Sequence, residues 1–237
     1  MKWIIAMFLI AFCAKSEAQV YNTKHFKIFY TSVDNKNIKE IADSLEGSYD
    51  RIIADLQCLE DVPVKVHFYA DTPTYRQSVR HWAPNLPSWS GGITLGDSVV
   101  HMISPNAPYH NYREEMKNAI HEFAHCVSRR VNNRIANNPR WLWESIAIYE
   151  SKQLVDPHKL PYLVNHKPPG LKQLSDFSDT TIYEVGYLVS EYLVETKDKN
   201  ILNTLIKNNG NIKQTLNVDD EEFTRRWFAF VRKKYGI

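Results

Sequence analysis

The chain is poor in cysteine. Cys13, Cys58 and Cys126 are the only three in 237 residues, too few for a disulfide framework. It also lacks an excess of either charge: 29 Lys and Arg stand against 27 Asp and Glu. That balance gives no footprint for nucleic acid or an anionic membrane. The basic run Arg232-Lys233-Lys234 is short and reads as a solvated helix end. Repeats and low-complexity tracts are absent. The apolar run Trp3 to Cys13 is too short for a comfortable membrane span.

That run lies between Met1-Lys2 and Ala14-Lys15-Ser16-Glu17-Ala18. A charged start, an apolar stretch and a small-x-small site predict a secretory signal peptide over residues 1–18. A lipoprotein would need Cys13 in a lipobox, but bulky Phe12 stands where a small residue belongs. The expected location is therefore periplasmic or secreted. Residues 19–237 suffice for one domain with a sizeable core. Two cysteines remain there, Cys58 and Cys126, as buried free thiols or as one pair.

The alternation in 24–30 predicts a strand, and Ile38, Ile41, Leu45, Tyr49, Ile52 and Leu56 a long amphipathic helix. Residues 62–69 predict a second strand, and Asp71-Thr72-Pro73 starts a helix running to about Trp82. A β-α-β-α order favours parallel neighbouring strands. Residues 89–95 and 98–103, joined at Gly96-Asp97, predict a hairpin. The pair Gly91-Gly92 implies either a bulge or barrel-like bend, or the close approach of another backbone. Helices are expected over about 111–131, from Trp141 to Glu150, and over 181–195. An irregular stretch from Val155 to Asp179 precedes the last of these, and three helical segments finish the chain.

The helix at 111–131 contains His121-Glu122-Phe123-Ala124-His125. Histidines at i and i+4 lie on one helix face, close enough to share one metal ion, with Glu122 beside them as a general base. With nine His in the chain, H-E-x-x-H also arises by chance, so weight rests on a third ligand. A catalytic zinc site needs three protein ligands and an open position. Glu144 follows His125 after 18 residues, in an apolar helix with Trp143, Ile146, Ala147 and Ile148 around it. A carboxylate there is costly unless paired or bound to metal, which favours an inward ligand over an exposed Glu. His101, His110, His158 and His166 are isolated and read as surface or satisfied core histidines.

H-E-x-x-H, the 18-residue gap and Trp141-Leu142-Trp143-Glu144-Ser145-Ile146-Ala147 resemble the gluzincin metallopeptidases. The chain is most similar to the peptidase MA-like group and more distantly to aminopeptidase N and leukotriene A4 hydrolase. The resemblance covers most of residues 19–237. It implies an α+β, thermolysin-like (zincin) fold: an αβ lobe over 19–135 that includes the motif helix, a helical lobe over 136–237, and the metal site between them. It also implies Zn2+ held by His121, His125 and Glu144, with Glu122 as the base. Ile182-Tyr183-Glu184-Val185-Gly186 resembles the family's Y-x-x-G, whose Tyr donates to the oxyanion; core packing is the other reading of Tyr183. Gly91, Gly92 and Ile93 stand where the aminopeptidase relatives carry G-A-M-E-N, a substrate-pairing edge strand. Thr94 occupies the position of the Glu that binds a substrate amino terminus, a departure that weakens an aminopeptidase assignment. Trp143 is a second departure, where relatives often carry a small residue or Asn.

The resulting expectation is an exported zinc peptidase acting on peptide or protein substrates. It would be monomeric, with no nucleic acid partner and no stable membrane insertion after signal cleavage. The rivals are an inactive peptidase-fold binding protein and a non-peptidase zinc hydrolase.

Overall fold

The structure is a computed structural model that describes residues 18–237. All of the expected signal peptide except Ala18 lies outside the described residues. Among those described, no helix is long and apolar enough to cross a membrane.

The chain opens with β1 (Gln19–Asn22), β2 (Phe26–Tyr30), α1 (Ile38–Asp55), β3 (Val64–Tyr69) and α2 (Thr72–Val79). In β2 and β3 alternate residues are buried, as a strand with one face on the core requires. Ile38, Ile41, Leu45, Tyr49 and Ile52 are the buried stripe of α1. The β2–α1–β3 unit is a parallel pair joined by a helix, the connection that parallel strands need. Asp71 caps α2 by accepting from the Thr74 amide at 2.8 Å. α2 ends at Val79, short of Trp82, because the Trp82 and Ala83 amides both turn back to the Val79 carbonyl.

The hairpin follows as β4 (Gly92–Leu95) and β5 (Val99–Ile103). The sheet order is β1-β2-β3-β5-β4, so β4 is an edge. Val64, Val66, Phe68, Val100 and Met102 share one sheet face and join the main core. Against that face packs α3 (Tyr112–Val131), capped by Asn111, whose side chain accepts from the Arg113 and Glu114 amides. The x residues of H-E-x-x-H are core: Phe123 is fully buried between Phe26 and Tyr49, with ring centres at 5.1 and 5.4 Å. Cutting it to Ala would cost about 3–5 kcal/mol.

After α3 the chain is helical: α4 (Arg140–Glu150), α5 (Pro161–Val164), α6 (Leu171–Leu174), α7 (Ile182–Thr196), α8 (Ile201–Lys207), α9 (Ile212–Leu216) and α10 (Asp220–Tyr235). α5 and α6 are single turns inside the stretch expected to be irregular. Gly186 lets α7 settle on α4, since a Cβ there would lie 3.1 Å from the Ser145 Cα and 2.8 Å from the Ile148 side chain. Arg51 of α1 donates to the buried Glu150 at the end of α4, tying the strand-bearing part of the chain to the helical part. The described residues therefore form a mixed α/β structure with a five-stranded sheet and ten helices. The main buried core runs through it from Phe26 to Val231, and a second, small one is built on Tyr75, Val79, Ile103 and Ala107. Cys58 and Cys126 are both buried and unpaired.

Candidate metal centre

α3 and α4 bring His121, His125 and Glu144 together. One ligand atom from each lies within 4.8 Å of the others, and all three residues are buried. Glu144 Oε2 is 3.3 Å from His121 Nε2 and 3.9 Å from His125 Nε2. The Trp143 ring stacks on His125, with centres 4.0 Å apart and planes within 5°, and holds that imidazole flat.

His121 is oriented from behind. Its Nδ1 lies 3.1 Å from Gln153 Oε1. That same oxygen accepts from Ser151 Oγ at 2.7 Å, while Gln153 Nε2 donates to Asn118 Oδ1 at 2.8 Å. The amide is thereby committed to accept from Nδ1–H, leaving the Nε2 lone pair aimed at the cluster. Burial pushes His121 down, but the Glu144 carboxylate outweighs it, with help from Glu122, and the imidazole is held above its ordinary value. Burial, then the charge of His121, drives His125 well below its ordinary value.

Glu122 sits under β4. Its carboxyl is raised by burial, against the pull of His121 and of Thr94. The Thr94 hydroxyl donates to Glu122 Oε2 at 2.7 Å and lies 2.9 Å from the Glu122 carbonyl. Gly92 makes room for the carboxylate: a Cβ would stand 2.8 Å from Oε1 and 2.9 Å from Cγ. Gly92 and Thr94 pair with Met102 and Val100, whose side chains face α3, so these two positions face α3 as well. What comes close to Gly92 is the Glu122 side chain, not another backbone as one reading of the glycine pair expects.

Within the stretch Gly91 to Ile93 the residues differ in which way their backbone groups point. The Ile103 amide donates to the Gly91 carbonyl at 2.8 Å, so Gly91 bonds inward to β5. By the alternation of an antiparallel ladder Ile93 does too, and Gly92 and Thr94 turn their amides to the open edge. The Ser90 hydroxyl occupies one of these groups, the Gly92 carbonyl, at 3.0 Å. The Ile93 side chain packs against the small cluster formed by Tyr75, Val79, Ile103 and Ala107.

The edge, the cluster, Glu122 and Tyr183 line one cleft of about 620 Å³. The Tyr183 ring lies 5.3 Å from Trp89 and 5.3 Å from the Arg140 guanidinium. Burial and the Glu144 charge raise its phenol, against the pull of Arg140. The other histidines have local partners: His101 bonds Tyr69, His110 bonds Glu115 and Thr72, and His158 bonds Asp156. His166 lies edge-on to Phe228.

The three side chains suit a divalent cation. Glu144 Oε2 and His125 Nδ1 are buried without a hydrogen-bond partner. The buried Glu144 and the half-buried Glu122 share one small space with the two imidazoles. A dication would compensate them, and a His-His-Glu donor set is one that zinc takes.

Sequence reasoning missed Gln153, Asn118 and Arg140 as site residues, and saw Thr94 only as a departure. Gln153 follows the end of α4, where no periodicity marks it. Arg140 directly precedes the Trp141 stretch and carries no motif signal of its own. No protein-family model matches the chain, and a search of curated proteins finds no match.

Proposed function

We propose that the protein is an exported zinc metallopeptidase of thermolysin-like fold, with peptides or proteins as substrates. The observation that carries this reading is the convergence of His121, His125 and Glu144 within 4.8 Å, with Glu122 locked beside them in an open cleft.

His121 and His125 would hold zinc through their Nε2 atoms and Glu144 through its unpartnered Oε2. When bound, zinc lowers the pKa of a water and polarises a carbonyl. Glu122 takes the proton of the attacking water on Oε1, the oxygen that Thr94 leaves open, and passes it to the leaving amine. Its raised carboxyl is suited to carrying that proton between the two steps. Tyr183 would donate a hydrogen bond from its phenol to the oxyanion that develops in the transition state. Gly92 and Thr94 pair by backbone with an extended peptide laid along β4. That pairing needs no free substrate amino terminus, and with Thr94 committed to Glu122 the cleft carries no acidic anchor for one on this strand.

The test is Glu122→Gln. The variant keeps metal binding, measured by elemental analysis of the purified protein, and loses peptide hydrolysis. Hydrolysis retained at the unaltered rate would refute the role of Glu122.

A further inference from the structure

Beyond the cluster and Glu122, Arg140 is the only charged side chain among the described residues lining the cleft. It is the first residue of α4 and only 3% exposed. Its Nη1 donates to two backbone carbonyls, those of Asp176 and Asp179, the second at 2.7 Å. Beyond these two carbonyls its polar neighbour is the Tyr183 phenol, whose pKa it pulls down, and no backbone carbonyl takes its Nε or Nη2 among the described residues. It makes no ion pair with any described carboxylate. The two nearby acids are turned elsewhere: Asp176 accepts from Ser178, and Asp179 from Thr181 and Gln173. The guanidinium lies 5.3 Å from the centre of the Tyr183 ring and 5.6 Å from that of Phe177, which fix its plane.

A buried cation that feels Asp176 and Asp179 only at a distance, with no direct ion pair, is costly, and here it borders the cleft that holds the proposed chemistry. Its two carbonyl bonds hold the head group but do not neutralise it. The donors that no carbonyl takes have the fork geometry that meets a carboxylate with two parallel bonds. We propose that Arg140 is a specificity residue that binds a carboxylate of the substrate, so that the enzyme favours peptides carrying a negative charge close to the cleaved bond. Two sources supply that group: the substrate's own C-terminus, or an Asp or Glu side chain. This inference rests on the peptidase reading for its substrate class.

The test binds peptides to Glu122→Gln protein by titration calorimetry. Three N-acetylated peptides of one sequence are compared: a neutral Gln-containing amide, the same peptide with a free C-terminal carboxylate, and the amide with Glu in place of Gln. At least one charged peptide binds about tenfold to a hundredfold tighter than the neutral one, and which one does so identifies the source. Adding Arg140→Gln abolishes the preference, while Arg140→Lys keeps part of it. If Arg140→Gln does not fold, Arg140→Lys and the contrast among the three peptides still decide. Equal binding of all three, a preference that survives Arg140→Gln, or no binding at all would overturn the proposal.

Cleavage of the same peptides by the unaltered protein separates the two readings. Cleavage of all three with no preference refutes the role of Arg140 and leaves the peptidase standing. An Arg140-dependent binding preference with no cleavage of any peptide refutes the peptidase and leaves the carboxylate site.

Discussion

Gly92→Ala is a small perturbation with a large expected effect. The glycine is in ordinary extended backbone, so alanine can adopt its conformation. The added methyl, however, meets Glu122 at 2.8 Å from Oε1, 2.9 Å from Cγ and 3.1 Å from Cδ. Ordinary contact begins near 3.4 Å, so the carboxylate must retreat by about half an ångström or more. The group that moves is the free end of a side chain, so the fold absorbs the change at a cost of about 1–3 kcal/mol or less. Catalysis does not absorb it, because Glu122 must meet the water within hydrogen-bond reach, and a shift of this size costs up to roughly 10²-fold. The assay is steady-state peptide hydrolysis with metal content measured in parallel: kcat falls, while metal stoichiometry holds, since His121, His125 and Glu144 are untouched. Gly47→Ala is the control. Gly47 lies in α1 with nothing within 4 Å of an added Cβ, so kcat should stay constant and stability rise by about 0.5–1 kcal/mol. Unchanged kcat in Gly92→Ala would refute the seating of Glu122 under β4 as the reason for a glycine there.

Tyr183→Phe should lower kcat by roughly 10²-fold or more with metal content unchanged, as loss of an oxyanion donor does. An unchanged rate would assign Tyr183 to packing against Trp89 and Arg140 alone. Gln153→Ala removes the acceptor behind His121 and should weaken metal binding about 10- to 100-fold, read by competition with a chromophoric chelator. Equal affinity would mean that the Gln153 bond does not hold the ring.

Much of this site is local in sequence. His121 and His125 share a face because they are one helical turn apart, and Phe123 fills the core because it lies on the other side of that turn. Glu144 was legible because a carboxylate in an apolar helix needs a partner. The β-α-β opening was legible from its alternating and helical periods. What stayed hidden depends on contacts distant along the chain. The seat that Gly92 gives Glu122 spans a strand and a helix thirty residues apart, and no local pattern encodes it. β1 was missed because Gln19–Asn22 is short and mostly exposed, with no buried alternation to mark it. Arg140 shows its remaining donors only once the carbonyls of Asp176 and Asp179 fold back over it.

The central claim is metal-dependent peptide hydrolysis at His121, His125 and Glu144. Its most direct test is to profile cleavage of a peptide mixture by the purified protein, before chelation, after chelation, and after zinc is restored. The account predicts cleavage that the chelator abolishes and zinc returns, with one zinc per chain. Cleavage indifferent to the chelator, or a zinc-loaded protein that cleaves nothing, would contradict it.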